Sequence, residues 1–221
     1  MPVSPRGEFP TAEEVSPEWL TRQLHANGLQ VSVNSFSAEQ IGTGQIGKCI
    51  RYRLHYDEGD QGPAALIGKF PSDDPSSRAT GVMLKNFLKE VRFYQELQHT
   101  LSIRTPKCYF ADIVGEGPDF IVLMEDLSPA RQGNQLLGCD PQIAQAAIHE
   151  LVGLHAPSWC DQSLLALNWL YESGAADNDA MLTMYNAQLP GFLQRYGHAL
   201  AADEQAIIAQ VGDSASAPLF S

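Results

Sequence analysis

The sequence predicts an α+β protein, with a five-stranded antiparallel sheet and one main helix first and a set of helices after it. Apolar residues alternate with a period of two in five segments before residue 125, which is the pattern of half-buried strands. They recur with a period of about 3.6 in one segment between these strands, and again in several segments after residue 130. Turns rich in glycine and proline separate neighbouring strands, so we expect consecutive strands to pair antiparallel.

The first half of the chain contains two predicted helices and five predicted strands. Ser16, Pro17 and Glu18 begin the first helix with a capping side chain, a proline at the first helical position and an early acid. Gly28 stands where this helix would end. The main helix covers about residues 82–99. The strands cover residues 31–41, 49–56, 64–70, 107–114 and 120–124, with loops at 57–63, 71–77 and 115–118.

The pattern becomes helical after residue 130. Predicted helices cover residues 141–155, 180–187, 191–200 and 203–211. We therefore expect a sheet domain at residues 1–124, a linker at 125–130 and a helical part at 131–221.

Composition and charge exclude several classes of protein. Hydrophobic residues make up 44% of the 221 residues and charged residues 18%, as in ordinary globular proteins. No apolar run approaches the ~18 residues that a membrane span needs, and the N-terminus lacks the pattern of a signal peptide. The formal net charge of −12 argues against nucleic-acid binding, which needs a basic face. The four cysteines lack the spacing of a metal site, so we expect reduced thiols in a cytoplasmic protein.

A glycine-rich segment lies between the first two predicted strands. Gly42, Gly44 and Gly47 match the spacing Gly-x-Gly-x-x-Gly, which by itself is also compatible with a loose hairpin turn. A dinucleotide-binding fold, such as that of a dehydrogenase, needs a helix directly after the glycines, whereas segment 49–56 predicts a strand. Strand, glycines, strand is typical of the loop that covers ATP phosphates in kinases, because the missing side chains let backbone amides approach the phosphate oxygens.

Lys69 is a cation in the otherwise apolar segment 64–70. By alternation it shares a face with Ile67, a pattern similar to the Val-Ala-Ile-Lys strand of kinases, whose lysine reaches the α- and β-phosphates of ATP. The alternative is a lysine at the frayed end of the strand, just before Pro71. Cys49, which follows the glycines, stands where kinases place a small apolar residue above the adenine.

Glu90 is a charged residue on the apolar side of the main helix. At about 100° per residue, it falls within one apolar arc, which is formed by Met83, Leu84, Phe87, Val91, Tyr94 and Leu97. An unpaired buried carboxylate is costly, so a cationic partner is expected. Lys69 is the natural candidate, because a helix glutamate paired with a strand lysine is typical of kinase ATP sites. The alternative is a glutamate at the rim of the arc that reaches solvent.

The segment 121–127 runs from an apolar strand into acids and then into Ser128 and Pro129. In a kinase-like layout this is the hinge, where backbone groups near Glu125 and Leu127 contact the edge of the adenine. The alternative is an ordinary strand end.

As a set, these motifs resemble the aminoglycoside-phosphotransferase superfamily, nearest its ecdysteroid-kinase-like and choline-kinase-like branches. The resemblance covers nearly the whole chain from about Ile41. It includes the Phe-x-x-Glu-x-x-Phe-Tyr string at 87–94, Leu-Met-Glu-Asp-Leu at 123–127 and Leu-His-Ala at 154–156 followed by Trp159. It implies a protein-kinase-like fold with an N-lobe, a hinge and an incomplete helical C-lobe. It also implies transfer of the ATP γ-phosphate to a hydroxyl of a small molecule, with Mg²⁺. The residues that it implies for ATP binding are Gly42, Gly44, Gly47, Ile67, Lys69, Glu90, Glu125 and Leu127.

The catalytic motif of that family has no match in these 221 residues. The family carries His-x-Asp-x-x-x-x-Asn in the helical lobe and an acidic Mg²⁺ ligand on a later strand. His55 and Asp57 have the first spacing, but Gly62 stands where the asparagine would be, and Asp119 precedes the linker. We therefore assign no catalytic and no metal-binding residue, and we expect the chain to end before the catalytic loop, with the Mg²⁺ ligands outside it.

Two hypotheses on function, from different classes, follow. The first is an ATP-dependent small-molecule kinase, represented by its nucleotide-binding part and inactive as these residues alone. Its acceptor could be an aminoglycoside, a choline-like amine, a sugar or a steroid. The second is a non-catalytic kinase-like protein that binds a nucleotide or a partner. Since apolar residues from 141 onward would lack a cover in an incomplete helical part, we also expect self-association through that part.

Overall fold

The computed structural model describes residues 9–42, 46–134, 136–170 and 175–213. Its strands are β1 (Val33–Ile41), β2 (Gly47–Tyr56), β3 (Ala65–Pro71), β4 (Cys108–Ile113) and β5 (Phe120–Glu125). Its helices are α1 (Pro17–Ala26), α2 (Pro75–Met83), α3 (Asn86–Arg92), α4 (Pro141–Ser158), α5 (Ala175–Tyr196) and α6 (Ala202–Asp213). The predicted α+β class is confirmed.

The five strands form one antiparallel sheet in the order β1-β2-β3-β5-β4. The first three strands are neighbours in sequence and in space, because short turns connect them. The last two form a hairpin that adds to the sheet through β5 rather than β4. The chain therefore leaves the sheet from an interior strand, and the linker begins beside β3.

Helix α1 covers one face of the sheet, here called the α1 face. The Ser16 hydroxyl caps the helix by accepting a hydrogen bond from the Trp19 amide at 3.2 Å. The Asn27 side chain, at the other end, donates to the Tyr109 carbonyl on β4 at 2.8 Å. The core on this face contains Val15, Trp19, Leu20, Leu24, Val31, Val33, Tyr52, Leu54, Leu66, Phe70, Ile121 and Leu123.

Helix α3 packs against part of the opposite face, here called the Lys69 face. Phe87 and Val91 of α3 are buried against Phe120 and Val122 of β5, and the rings of Phe87 and Phe120 are stacked with centroids 4.7 Å apart. Offset aromatic pairs of this kind add about 0.5–1.5 kcal/mol to the free energy gained from burial alone. This packing fixes the orientation of α3, and hence the direction of its other side chains.

The prediction of one continuous helix over residues 82–99 is wrong. Helix α2 already begins at Pro75, where the Asp74 carboxylate accepts a hydrogen bond from the Ser77 amide at 2.7 Å. It ends at a break in which Lys85 has a left-handed backbone, with φ of 53°. Helix α3 then continues into a π-helical turn at Phe93–Leu97 and a 3₁₀ turn at Gln98–Thr100.

The break has consequences for the predicted apolar arc. Met83 and Leu84 were expected in that arc, but they lie before the break and are exposed. The closeness of α2 and α3 explains the change of direction, because Gly81 packs directly against the Phe87 ring, where a Cβ atom would clash. Asp74 and Pro75 form a typical helix start, a capping acid followed by proline. The sequence interpretation had assigned both residues to the loop at 71–77.

The chain divides into two compact units, the first of which ends at Leu170. Helix α4 belongs to the first unit, where the Ser102 amide donates to the Gly153 carbonyl at 2.9 Å. The same unit contains a hydrogen bond of 2.7 Å from the Trp169 indole to the Glu96 carboxylate. The boundaries predicted at residues 124 and 130 separate a sheet domain, a linker and a helical part, rather than two compact units. They stay a prediction.

The second unit contains α5 and α6. The separate helices predicted at 180–187 and 191–200 are instead one helix, α5, with Pro190 inside it. The Tyr185 hydroxyl donates to the Ile208 carbonyl at 2.6 Å and so ties α5 to α6. Among the described residues, no helix combines the length and the apolar character needed to cross a bilayer.

Candidate functional site

Two rows of side chains lie next to each other on the Lys69 face. In the first row Cys49, Lys69 and Val122 are opposite one another on β2, β3 and β5. In the second row Arg51, Ile67 and Met124 are opposite one another on the same three strands. Because side chains alternate along a strand, both rows belong to the same face. Lys69 and Ile67 thus share a face, as predicted.

Lys69 and Glu90 form the predicted ion pair. The Lys69 Nζ atom lies 2.7 Å from each carboxylate oxygen of Glu90. The side chains are 30% and 27% exposed, so Glu90 is not a rim residue directed into solvent. Pairs with this exposure contribute only about 0–1 kcal/mol to stability. The geometry is therefore better explained as a way of holding the ammonium group in place on this face of the sheet.

The glycine segment borders this ion pair. Gly42 has φ of 73°, a left-handed conformation that favours glycine. A Cβ atom on Gly47 would lie 3.0 Å from the Phe70 carbonyl oxygen and 3.4 Å from Lys69 Cε. Gly44, the third predicted glycine, lies outside the described residues. Strand β2 begins at Gly47, so the dinucleotide-fold alternative, which needs a helix there, is wrong.

A second ion pair lies on the same face and was missed by the sequence interpretation. Arg51 Nε donates to Asp126 Oδ2 at 2.8 Å, and Arg51 Nη2 donates to Asp126 Oδ1 at 3.3 Å. The alternation of side chains along a strand places Arg51 on the face of Cys49 and Asp126 on the face of Met124. No local sequence pattern indicates that Arg51 and Asp126 pair with each other, because they are 75 positions apart in the sequence.

The two predicted linker residues, Glu125 and Leu127, differ from each other in their surroundings. The Glu125 carboxylate is directed toward β4 and accepts a hydrogen bond from the Lys107 amide at 3.1 Å. Leu127 is exposed, and its carbonyl oxygen accepts from the Ala130 amide at 2.9 Å, which closes a turn. The role of Glu125 and Leu127 in contacting a ligand stays a prediction.

Three ionisable side chains on this side of the sheet, those of Cys49, Cys108 and Tyr94, are neutral at physiological pH. Burial raises the pKa of the Cys49 thiol, with the Lys69 cation opposing the effect and the Glu90 carboxylate adding to it. Burial raises the pKa of Cys108 to about 11. Burial, together with the Glu90 and Cys108 side chains, raises the pKa of Tyr94 to about 12. At physiological pH the two thiols and the phenol therefore add no charge to those of Lys69 and Glu90.

A cavity of about 630 Å³ lies at the glycine end of the sheet, on the side of Lys48 and Phe70. Two carboxylates surround its lysine, since Lys48 Nζ lies 2.9 Å from a Glu13 oxygen and 2.8 Å from an Asp73 oxygen, and this excess of negative charge disfavours an anionic ligand. Alternation places Lys48 on the α1 face, away from Lys69. We therefore locate the candidate site at Lys69 rather than in this cavity.

Helix α4 carries an apolar groove of about 430 Å³, which is lined by Ile148, Leu151, Val152, His155, Ala156 and Trp159. His155 lies among apolar residues here. In the part of the chain that the structure describes, no three His, Cys, Asp or Glu side chains gather as they would around a metal ion.

No model of a known protein family matches the chain, and no curated protein is significantly similar to it. Its function is therefore inferred from the geometry of the Lys69 face.

Proposed function

We propose that the chain is the nucleotide-binding part of an ATP-dependent phosphotransferase that acts on a hydroxyl of a small molecule, similar to the aminoglycoside phosphotransferases. The observation that carries the proposal is the pairing of Lys69 with Glu90 directly beside Gly47. A strand lysine held by a helix glutamate, next to a glycine loop between two antiparallel strands, is the arrangement by which kinases bind phosphates. In this proposal residues 1–124 are the N-lobe, 125–130 the hinge and 131–221 part of the C-lobe.

Each part of the Lys69 face has a role in this proposal. The Lys69 ammonium group donates hydrogen bonds to phosphate oxygens, while Glu90 keeps it in position. Gly42 and Gly47 allow the loop backbone to approach the phosphates. Ile67 and Cys49 provide a neutral, largely apolar floor for a base, and the backbone near Glu125 and Leu127 contacts its edge. ATP, when bound, supplies the γ-phosphoryl group, and we expect the Mg²⁺ ligands outside these residues.

These 221 residues would bind the nucleotide without transferring phosphate. The sequence contains no His-x-Asp-x-x-x-x-Asn motif, which supplies the general base and a metal ligand in such enzymes. The ionisable groups near Lys69 do not substitute for it, because the thiols of Cys49 and Cys108 and the phenol of Tyr94 have raised pKa values.

The alternative is a non-catalytic kinase-like protein that binds a nucleotide or a partner, and its partner-binding form is the one that differs from this proposal for these residues. The exposed apolar face of α4 favours it, because Ile143, Ile148, Val152 and Trp159 are all exposed there. Large exposed apolar patches on a protein often mark surfaces that bind another protein. The same face is also what the first proposal expects of a partial C-lobe, so ATP binding distinguishes the two.

The experiment is titration calorimetry of the purified chain with ATP and Mg²⁺, combined with a phosphate-release assay. We expect saturable ATP binding and no turnover above the buffer rate. Absence of ATP binding would contradict the nucleotide function and leave the partner-binding alternative. Turnover by the wild-type chain that is lost in Lys69→Ala would show that the catalytic groups lie within these residues after all.

A further inference from the structure

We propose that the Arg51–Asp126 ion pair is a positioning device: it fixes the first residues of the linker against the sheet, at the end of the Lys69 face where a base would bind. The identity of the ligand, a nucleotide base, rests on the function proposed above, whereas the Arg51–Asp126 ion pair does not depend on it. Arg51 would then be a positioning residue for base recognition rather than a residue that touches phosphate.

The Asp126 carboxylate joins β2 to the linker. Both of its oxygens accept hydrogen bonds from the Arg51 guanidinium, and Oδ1 also accepts one from the Ser128 amide at 3.0 Å. Strand β3 lies between β2 and β5 in the sheet, so the Arg51 side chain spans the position of Ile67 to reach Asp126. A two-point contact of this kind sets orientation as well as distance.

This contact holds a segment that the sheet ladder does not hold. The pairing of β3 with β5 ends at Leu66 and Glu125, so Asp126 and the residues after it lie beyond the paired register. By contrast, the Arg53–Glu39 pair joins β1 to β2, two strands that are already paired along their length. The Arg51 and Asp126 side chains are 22% and 10% exposed, against 55% and 58% for Arg53 and Glu39. Water therefore screens the first pair much less than the second.

The Lys69–Glu90 and Arg51–Asp126 ion pairs are separated along the strands. Arg51 and Cys49 are two residues apart on β2, which places their rows about 7 Å from each other. A triphosphate bound at Lys69 lies at one row, and the linker backbone begins at the other. Loss of the Arg51 contact should therefore weaken ligands that carry a base and spare a phosphate chain that has none.

The test compares wild type with Arg51→Met and Asp126→Asn. Arg51→Met keeps the aliphatic stem, whereas Asp126→Asn keeps an oxygen for the Ser128 amide. Arg53→Met is the matched control, since it removes the neighbouring arginine and its more exposed ion pair from the same strand. Hydrogen–deuterium exchange of the 125–131 peptide is measured without ligand, and calorimetry measures affinity for ATP and for inorganic tripolyphosphate.

We expect both Arg51→Met and Asp126→Asn to raise exchange of the linker amides about tenfold. ATP affinity should fall about tenfold, because only the fraction of molecules with an ordered linker binds the base. Tripolyphosphate affinity should stay within twofold of wild type, and Arg53→Met should match wild type in all three measurements. Lys69→Met, in contrast, should weaken both ligands.

Unchanged linker exchange in Arg51→Met and Asp126→Asn would overturn the positioning role. Equal losses of ATP and tripolyphosphate affinity would overturn its selectivity for the base and indicate a general structural effect. If the wild-type chain binds neither ligand, the nucleotide function fails, and the exchange result alone then decides whether Arg51 fixes the linker.

Discussion

Lys69 Nζ lies 2.7 Å from both carboxylate oxygens of Glu90, although the two residues belong to different elements, β3 and α3. The packing of Phe87 and Val91 against the sheet directs Glu90 toward the strand. The pair is partly open to water, so its main consequence is a cation held at a defined position rather than a large gain in stability.

Replacing Lys69 by Met should reduce ATP affinity by at least tenfold, since a charge-assisted hydrogen bond contributes about 1.5–3 kcal/mol. The free energy of unfolding should change by about 1 kcal/mol or less. Calorimetry and urea unfolding measure the two effects. Lys48→Met is the control, because Lys48 pairs with Glu13 and Asp73 on the α1 face. An equal loss of ATP affinity in Lys48→Met would contradict the assignment of the site to the Lys69 face.

Gly47→Ala should destabilise the protein and weaken ATP binding, because the new methyl group would press on the Phe70 carbonyl and on Lys69 Cε. Overpacking of this kind costs about 1–3 kcal/mol. Thermal unfolding and calorimetry provide the measurements. Gly133→Ala is the control, since a Cβ atom there meets nothing within 4 Å, and it should leave both quantities unchanged. Wild-type stability in Gly47→Ala would mean that the loop has more room than the structure shows.

ATP should protect Cys49 from alkylation. Burial raises the pKa of this thiol, so its reaction with iodoacetamide should be slow at pH 7.5 and accelerate at alkaline pH as the thiolate forms. Peptide mass spectrometry follows the labelling, with the exposed Cys139 and Cys160 as internal controls. Saturating ATP should slow labelling of Cys49 and leave Cys139 unaffected. Labelling of Cys49 that is insensitive to ATP would place the nucleotide elsewhere.

Stability should decrease above pH 9, partly through Cys108. Burial raises the pKa of this thiol from 9.0 to about 11, so the folded state favours the protonated form. Its contribution to stability is complete below pH 9 and is lost as the pH rises through about 11. Cys108→Ala should therefore show a flatter dependence of unfolding free energy on pH over this interval, measured by urea unfolding. Cys139→Ala should keep the wild-type slope, and an unchanged slope in Cys108→Ala would contradict the assignment.

The chain should self-associate at micromolar concentration through the apolar face of α4. Each Å² of apolar surface removed from water contributes roughly 25 cal/mol, so an interface of several hundred Å² supplies several kcal/mol before the entropic cost of association. Ile148→Glu with Val152→Glu should shift the protein toward monomer in light scattering. Gln145→Glu with His149→Glu adds the same charges at exposed positions of the same helix and should not. A monomeric wild type at these concentrations would show that α4 needs no cover.

Local sequence determined much of this protein. Alternation at 49–56 and 64–70 predicted β2 and β3, because the period of a strand depends only on neighbours two residues apart. The position of Glu90 in an apolar arc predicted a cationic partner, and Lys69, a cation in an otherwise apolar predicted strand of the sheet, was the candidate. In each case the deciding contacts lie within a few residues, or follow from the demand that a buried charge be paired.

Only the tertiary structure decided the rest. The break at Lys85 depends on how closely Gly81 packs against Phe87, and no periodicity reports that distance. The Arg51–Asp126 pair exists because β5 inserts beside β3, which brings positions 75 apart in sequence onto one face of the sheet. Strand order depends on the summed packing of the whole sheet against α1 and α3. Contacts between strands that are distant in sequence therefore depend on the order of strands in the folded sheet. Contacts within one helical turn or one strand repeat follow from the local sequence.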